Sequence, residues 1–220
     1  MPYNVSLYMR SPYIVIGSEA LDQPPEWTER FTHDGERIHI RPESGVPVDP
    51  AFAPSRFRIE LPAARLPDMF NLGIGGPCVI DLVRDKIEEL EPGVHQFLPV
   101  EIIAKGGERP EKRFWLLHIC NRVDAIDPDK SVLRVDDRGR YHWDRLPEGE
   151  QARMVLRKEV IAGKCLWIDR RWLPGGFFMS DELFDFLTEG KIFKETIGPP
   201  GRFIGGGKRT KLDSWKVFAE

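Results

Sequence analysis

The chain has 220 residues, 41% of them hydrophobic and 10% aromatic, and it carries a formal net charge of −3 with an isoelectric point near 6.0. A chain of this size buries a core large enough to fold without disulfides or a structural metal, and its composition is not that of a disordered protein. The weak negative charge provides no basic field, which argues against nucleic acid as the partner.

Three cysteines, Cys78, Cys120 and Cys165, lie far apart along the chain, each among apolar neighbours. A disulfide framework or a zinc site needs cysteines at short spacing, so we predict free thiols that fill core positions. The N-terminal segment lacks the basic region and long apolar core of a signal peptide, and no window reaches the roughly 18 apolar residues of a membrane span. We therefore expect a protein of the reducing cytoplasm without membrane association.

Residues 1–76 are rich in proline and show periodicity only in short runs. Alternation of apolar and polar residues predicts strands at residues 4–9, 37–41 and 57–61, and prolines break the intervening chain into loops. We interpret this part as an irregular, β-rich N-terminal region.

One clear helix is predicted between Pro77, which suits a first helical turn, and Pro92-Gly93, which ends it. An apolar stripe at helical spacing is formed by Val79, Leu82, Val83, Ile87 and Leu90. The C-terminal end, where the helix dipole disfavours negative charge, is crowded by Glu88, Glu89 and Glu91. A solvated face and a partner-facing acidic patch both explain these glutamates.

Beyond the helix the pattern changes to strands, which are predicted at residues 95–103, 113–119, 132–135, 154–156, 166–168 and 177–179. A polar loop containing Gly106-Gly107 joins the first two. A short helix is predicted at residues 157–162, and a longer one runs from the capping residue Ser180 to Gly190. Its buried stripe is Leu183, Phe184 and Leu187. A last strand is predicted at residues 191–197.

Strands and helices are segregated rather than alternating as β-α-β units, which predicts an α+β fold with a mostly antiparallel sheet and a few packed helices. The expected division is an irregular β-rich region over residues 1–76 and an α+β domain over residues 77–220. The two parts can also form one continuous domain.

The acidic loop at Asp127, Asp129 and Ser131 has the alternate oxygens of a calcium loop. A helix-loop-helix calcium site needs glycine at its sixth position and glutamate at its twelfth, where this chain has Val132 and Arg138. We therefore predict a turn in which aspartate side chains accept backbone N–H bonds, and no metal site.

Other candidate chemistry has simpler structural explanations. The glycines at residues 73–76 lack the spacing and partner residues of a phosphate-binding loop, so we interpret them as a connector into the helix. The glycines at residues 205–207, before Lys208 and Arg209, could contact phosphate but lack a following helix, so we interpret them as a mobile loop. His118 and Cys120 share one face of a predicted strand, but their apolar neighbours favour core filling over a nucleophile–base pair. We predict no catalytic, cofactor-binding or metal-binding residue.

Several segments in a fixed order resemble one protein family. They are the helix end IEELEPG, HQFLPVEI, RFWLLHICNRVDAIDPDKS, CLWIDR and FFMSDELFDFLTEGKIFKE, which together span roughly residues 77–203. This pattern is similar to the immunity proteins that protect bacteria against their own polymorphic toxins. The resemblance implies a cytoplasmic, non-enzymatic protein without cofactors that binds and neutralises a cognate toxin encoded by an adjacent gene, by occluding its active site or substrate path.

The polar segment at residues 136–150 is the predicted partner-binding surface, because aromatic and charged residues dominate interface energetics. Its candidate residues are Asp136, Asp137, Tyr141, Trp143, Glu148 and Glu150. The same segment is also explained as a solvated loop. Two other classes stay open: an enzyme of unrecognised type that uses His118 and Cys120, and a regulatory module that binds a small ligand. The toxin's activity and the oligomeric state also stay open.

Overall fold

The computed structural model describes residues 3–5, 18–22, 45–72, 77–142, 154–172, 177–190, 192 and 217–219. The chain divides into two compact units. Unit 1 comprises Met1–Ser11 and Asn121–Glu220, and unit 2 comprises Pro12–Cys120. The predicted strand at residues 37–41 and all but Ile192 of that at residues 191–197 lie outside the described residues.

Unit 2 is organised around a six-stranded mixed sheet. Numbered along the whole chain, its strands are β2 (Glu19–Ala20), β3 (Arg56–Arg58), β4 (Met69–Asn71), β5 (Pro77–Ile80), β6 (Gln96–Ile103) and β7 (Phe114–His118). They lie in the order β2-β3-β6-β7-β5-β4, with β3 and β6 parallel and the other neighbours antiparallel. Strands from both sides of residue 76 pair in this sheet, so the predicted boundary between residues 76 and 77 does not coincide with the division between the units.

The alternation along β6 gives this sheet a buried face and an outward face. Leu98 and Val100 are buried, whereas Pro99 between them is exposed. Val100 pairs with Phe114 of β7, whose ring packs edge-on against Phe70 with 5.6 Å between the ring centroids. Each side chain buried in this way stabilises the fold by about 1.5–3 kcal/mol. The period-2 pattern of the sequence therefore decides which face of the sheet forms the core.

The six-stranded sheet curls until its two edges approach each other. Ser18 directly precedes edge strand β2, and Leu72 directly follows the opposite edge strand β4. The Ser18 hydroxyl donates a hydrogen bond to the Leu72 carbonyl oxygen over 2.9 Å. This bond joins the two edges of one sheet, and it encloses the buried side chains between them.

Helix α1 (Asp81–Leu90) follows β5 directly, so the prediction that Pro77 lies in a first helical turn is wrong. All four residues of β5 are buried, and the strand pairs with β4 on one side and β7 on the other. A short apolar run flanked by two strands gains more as a central strand than as a helix end. The buried stripe of the helix consists of Val83 and Ile87.

The predicted end of this helix at Pro92-Gly93 is confirmed, and all three glutamates around it have structural partners, with Glu91 Oε2 lying 3.1 Å from His95 Nε2. Gly93 has a φ of 68°, a left-handed conformation that suits glycine after a helix. Its N–H donates to Glu88 Oε2 over 3.1 Å, and Lys86 Nζ lies 2.8 Å from Glu89 Oε1. These glutamates therefore cap the helix end and form an ion pair within unit 2, and both contacts offset their unfavourable interaction with the helix dipole.

Unit 1 contains the remaining strands and two helices. Its strands are β1 (Tyr3–Val5), β8 (Arg122–Val123), β9 (Arg134–Val135), β10 (Tyr141–His142), β11 (Met154–Leu156), β12 (Leu166–Asp169), β13 (Phe177–Met179) and β14 (Val217–Ala219). Its helices are α2 (Lys158–Ile161) and α3 (Asp181–Glu189). The largest sheet has the order β1-β13-β12-β8, while β9 pairs with β10 and β11 pairs with β14. The predicted strands at residues 154–156 and 177–179 are confirmed.

The core of unit 1 is rich in aromatic rings. Trp167 of β12 stacks on Phe178 of β13 with 5.8 Å between ring centroids and 10° between ring planes. Trp172 packs at a tilt against the same phenyl ring, and Tyr141 and Ile126 belong to the same buried cluster. Rings of this size dominate core energetics, so this cluster positions the loops that leave it.

Helix α3 agrees with its sequence pattern. The Ser180 hydroxyl accepts a hydrogen bond from the Leu183 backbone N–H over 3.3 Å, which confirms the predicted N-cap. The predicted stripe of Leu183, Phe184 and Leu187 is buried, and the helix ends before Gly190.

The predicted α+β fold, dominated by sheet, is confirmed. Most strand pairs are antiparallel, but β3–β6, β8–β12 and β11–β14 are parallel, so the sheets are mixed. Parallel pairs need long connections, and such long-range pairing leaves no local pattern in the sequence. None of the helices in the described part of the chain has the length and apolar character needed to span a membrane.

The stripe of α1 provides a test of the unit 2 core. Ile87 is 1% exposed and Leu82 on the same helix is 51% exposed. We expect Ile87→Ala to lower the free energy of unfolding by about 2–4 kcal/mol, because it removes a buried side chain and leaves a cavity. The matched Leu82→Ala change should alter it by less than about 1 kcal/mol. Urea unfolding followed by circular dichroism measures both, and equal losses would contradict this packing.

Candidate partner-binding site

The sequence places the candidate partner surface on residues 136–150, and the structure describes this segment only as far as His142. Asp136, Asp137 and Tyr141 are among the described residues. The other three candidates, Trp143, Glu148 and Glu150, lie outside them. The geometry of the site therefore comes from the hairpin of β9 and β10, residues 134–142, which we call the Asp136 turn.

The carboxylate of Asp136 organises this turn by accepting four hydrogen bonds. Oδ1 accepts the backbone N–H groups of Arg138 and Arg140 over 3.0 and 2.9 Å. Oδ2 accepts Arg140 Nε over 2.9 Å and His142 Nε2 over 3.0 Å. The backbone closes the same loop, since Asp136 N donates to Arg140 O and Gly139 N donates to Asp136 O, each over 3.0 Å. One side chain thus fixes the whole path of the turn.

The electrostatics of the turn follow from these bonds. The hydrogen bond from His142 is the largest cause that holds the pKa of Asp136 well below its usual range, and the donors from Arg140 and Arg138 act in the same direction. Burial opposes them. The carboxylate therefore stays ionised at physiological pH. Gly139 completes the turn with a φ of 72°, which residues with a side chain rarely adopt.

The tip of the Asp136 turn presents three different side chains to solvent. Val135 is 53% exposed, and Asp137 and Arg138 are exposed as well. One apolar, one negative and one positive group therefore extend from a backbone that is already ordered. Such preorganisation lowers the conformational entropy lost on binding, which suits a surface that recognises another protein.

Tyr141 supports the turn from inside unit 1. The residue is 2% exposed and belongs to the aromatic core cluster. Its backbone N–H donates to Arg171 O over 2.6 Å, and the Arg171 guanidinium lies 4.5 Å from the centroid of its ring. Burial raises the pKa of its hydroxyl. The ring therefore supports the exposed tip from the core of unit 1.

A buried carboxylate that the sequence analysis did not single out holds the surroundings of Tyr141. Asp169, at the end of β12, is 1% exposed. Its Oδ2 accepts the N–H groups of Ala125 and Ile126 over 2.7 and 2.9 Å, and its Oδ1 accepts that of Arg171 over 2.9 Å. Burial raises the pKa of Asp169 although the three backbone donors oppose this. The available signal was an acidic residue that directly ends an apolar strand.

The loop after Ile126 is a side-chain-stabilised turn, as predicted. Asp127 Oδ1 accepts the backbone N–H groups of Asp129 and Lys130 over 3.0 and 3.1 Å. The Ser131 N–H donates to Asp127 O over 3.1 Å, and the Val155 N–H donates to Ser131 Oγ over 2.9 Å. Both oxygen-bearing side chains serve the fold of the loop.

His118 and Cys120 are engaged by backbone groups. His118 is buried, and its Nε2 lies 2.9 Å from Val46 O. The Cys120 thiol lies 3.6 Å from the His118 carbonyl oxygen, and the Cys120 N–H donates to His95 Nδ1 over 3.2 Å. These contacts agree with the predicted structural role of both residues.

The three cysteines are free, as predicted. Cys78 and Cys165 are buried, and Cys120 is half-buried. Burial raises the pKa of the Cys78 thiol far above its ordinary value, which keeps it protonated and unreactive.

A family model described as "Immunity protein family (Imm11)" matches residues 8–192. The match covers well over half of the chain and includes residues 8–76, a part from which the sequence resemblance drew no support. No curated protein matches the chain.

The four hydrogen bonds of Asp136 predict a pH-dependent contribution to stability. The pKa of this carboxyl is lowered in the folded state, so its contribution is fully present above the ordinary value of about 3.9 and is lost as the pH falls toward the folded value. We expect Asp136→Asn to lower the melting temperature at pH 7, and we expect this difference from the unmodified protein to shrink only in part at pH 3, because pH 3 lies between the ordinary and the folded value. The exposed neighbour provides the control, Asp137→Asn, which should melt like the unmodified protein at both values. Equal melting temperatures of both variants at pH 7 would show that Asp136 has no structural role in the turn.

Proposed function

The chain belongs to the Imm11 family of immunity proteins, and from that membership we propose that it binds a cognate toxin and covers the toxin's active site or substrate path. Family membership confirms the resemblance seen in the sequence, and it indicates an immunity function against a toxin. An inhibitor of this kind needs a shaped surface rather than reactive groups. We further propose that the protein is not an enzyme and that an adjacent gene encodes its toxin. We also propose that it acts in the cytoplasm as part of a polymorphic toxin system.

The observation that supports this mechanism best is the order within the Asp136 turn. Its backbone is held by the four bonds to the Asp136 carboxylate, and its base is held by the buried ring of Tyr141. An exposed tip on such a rigid base binds without a large loss of conformational entropy. A stable inhibitory interface buries about 1,200–2,000 Å², so the tip would be one part of a larger contact.

The charge of the proposed surface indicates the chemistry of its partner. Asp137 is exposed at the tip, and the acidic residues Glu148 and Glu150 follow in the sequence. An acidic surface accelerates the encounter with a basic partner and repels acidic ones. We therefore propose that the toxin presents basic residues to this surface, with Trp143 as an additional contact.

The first experiment is co-expression of this protein with the product of the adjacent gene in a bacterial host. We expect host survival only when both are present, and a complex that purifies as one species. Survival with a complex supports both the immunity role and the direct mechanism. Death of the host, or survival without a complex, would overturn direct neutralisation by binding.

A charge-reversal variant tests where the toxin binds. Asp137, Glu148 and Glu150 are changed to lysine together, while Asp136 is kept because it folds the turn. We expect the association rate with the toxin to fall by about tenfold or more, since charges near an interface act mainly on encounter. Surface plasmon resonance at two salt concentrations measures this effect.

The control is a triple variant with the same change in net charge, made at Glu60, Glu159 and Glu189, which are all exposed. Its association rate should stay within about twofold of the unmodified rate, because these residues lie outside the proposed surface. An equal fall in association rate for both triple variants would mean that net charge alone causes the effect and that the toxin binds elsewhere.

A further inference from the structure

The outward face of the unit 2 sheet carries a tryptophan that is fixed on two sides. Trp115 of β7 is half-buried and pairs with the exposed Pro99 of β6. Its indole Nε1–H donates to Asp81 Oδ1 over 2.8 Å, and the Arg84 guanidinium lies 4.3 Å from the centroid of its ring. The same hydrogen bond and the nearby arginines lower the pKa of Asp81, which favours the ionised carboxylate that accepts these contacts. The partly exposed indole therefore has one defined orientation.

Three arginines lie toward one end of this tryptophan, each paired with a carboxylate, because the register of β6 and β7 runs from the Pro99–Trp115 pair toward Glu101 and Arg113. Arg113 Nε lies 2.9 Å from Asp81 Oδ2. Glu101 follows Pro99 by two positions on the same face of β6, and its carboxylate is contacted by Arg56 Nε over 3.0 Å and by Arg109 Nη2 over 2.8 Å. Two sets of contacts thus lie beside each other on neighbouring strands, one joining Arg113, Asp81 and Trp115 and the other joining Glu101 to its two arginines.

The exposed hydrogen-bonding groups at these arginines are mostly donors. Arg109 and Arg113 have side chains that are 75% exposed, and that of Arg56 is 49% exposed. Each of them contacts its carboxylate through a single nitrogen, which leaves further N–H groups of the planar guanidinium directed away from that carboxylate. The contact of Arg109 with Glu101 Oε1 is an ion pair without hydrogen-bond geometry, so Arg109 is the least restrained of the three.

We call this surface the arginine face, and it comprises Arg56, Arg58, Arg84, Arg109 and Arg113 with Glu19, Asp81, Asp85 and Glu101 around Pro99 and Trp115. Two further exposed acids border this set, since Asp22 accepts the Arg56 N–H and Glu111 lies between Arg109 and Arg113 in the chain. The face is therefore distinguished by its exposed guanidinium groups and not by its net charge.

We infer that the arginine face is a second interaction surface and that it binds an acidic polypeptide segment. Carboxylates of the segment would take the exposed N–H groups of Arg109, Arg113 and Arg56, and an apolar side chain would pack on Trp115 and Pro99. Tryptophan and arginine together are the residues that most often dominate protein interfaces. A single aromatic ring with arginines that are already ion-paired is a poor match for a nucleic acid, which needs several stacking rings and many phosphate contacts.

This surface is independent of the proposed toxin contact. It lies in unit 2, whereas the Asp136 turn lies in unit 1. The exposed guanidinium groups of the arginine face would take acidic groups, whereas the proposed toxin contact would take basic ones. An experiment that contradicts one of these surfaces therefore does not contradict the other.

The test uses the full chain and two fluorescein-labelled peptides of about twelve residues, one alternating glutamate with leucine and one alternating glutamine with leucine. Fluorescence anisotropy at low ionic strength measures their binding, because screening weakens such contacts at high salt. We expect the glutamate peptide to bind at least about tenfold more tightly than the glutamine peptide, as charged hydrogen bonds are the stronger ones. The double variant Arg109→Gln, Arg113→Gln should lose about tenfold or more of this affinity.

The matched control is Arg170→Gln in unit 1, where Arg170 is 58% exposed and lies 3.4 Å from Asp124. It removes an exposed, ion-paired arginine of the same kind and should leave the affinity unchanged. Circular dichroism and melting temperature check that all variants are folded, which their exposure favours. The inference is overturned if the glutamate peptide does not bind, if the double variant binds it as well as the control does, or if a single-stranded oligonucleotide of similar length binds more tightly.

Discussion

The carboxylate of Asp169 is the interaction on which most of unit 1 depends. It is almost completely buried, yet its two oxygens accept the N–H groups of Ala125, Ile126 and Arg171. Removing an ionised group from water costs several kcal/mol unless such donors replace the lost hydration, and here three do. The same contacts join the end of β12 to the loop before Asp127. Through Arg171, whose carbonyl oxygen receives the Tyr141 N–H, they also reach the base of the Asp136 turn.

Carboxylates act as internal acceptors throughout this protein. Backbone N–H groups of loops donate to the carboxylates of Asp136, Asp127 and Asp169. On the outward face of the unit 2 sheet, arginines are oriented by Asp81 and Glu101. A chain with 30% charged residues can therefore have exposed loops of defined shape. Defined loops are what a binding protein needs, since order gained before the encounter is not lost during it. This is the physical link between the composition of the chain and membership of an immunity family.

The sequence predicts those parts of the fold that depend on local pattern. The strands at residues 154–156 and 177–179, the cap at Ser180 and the stop at Gly93 all follow from period, capping and backbone freedom within a few residues. The predicted start of α1 was wrong because an apolar run before Asp81 fits a helix and a buried strand equally well. Only pairing with the neighbouring strands β4 and β7 decides that this run forms a strand. Tyr141 belongs to the buried core although its sequence neighbours are polar, because its partner Arg171 is distant in the chain. The roles of Asp136 and Asp137 in binding a partner stay predictions, whereas the hydrogen bonds that order the turn around Asp136 required the structure.

The hydrogen bond between Ser18 and Leu72 has a consequence for how this protein behaves in a crowded cell. Edge strands with unpaired N–H and C=O groups are templates on which other chains add strands and form aggregates. In unit 2 the strands at the two ends of the sheet are turned toward each other by its curvature. This curvature leaves less of either edge open to strand addition by another chain, so the topology of the sheet itself limits such pairing.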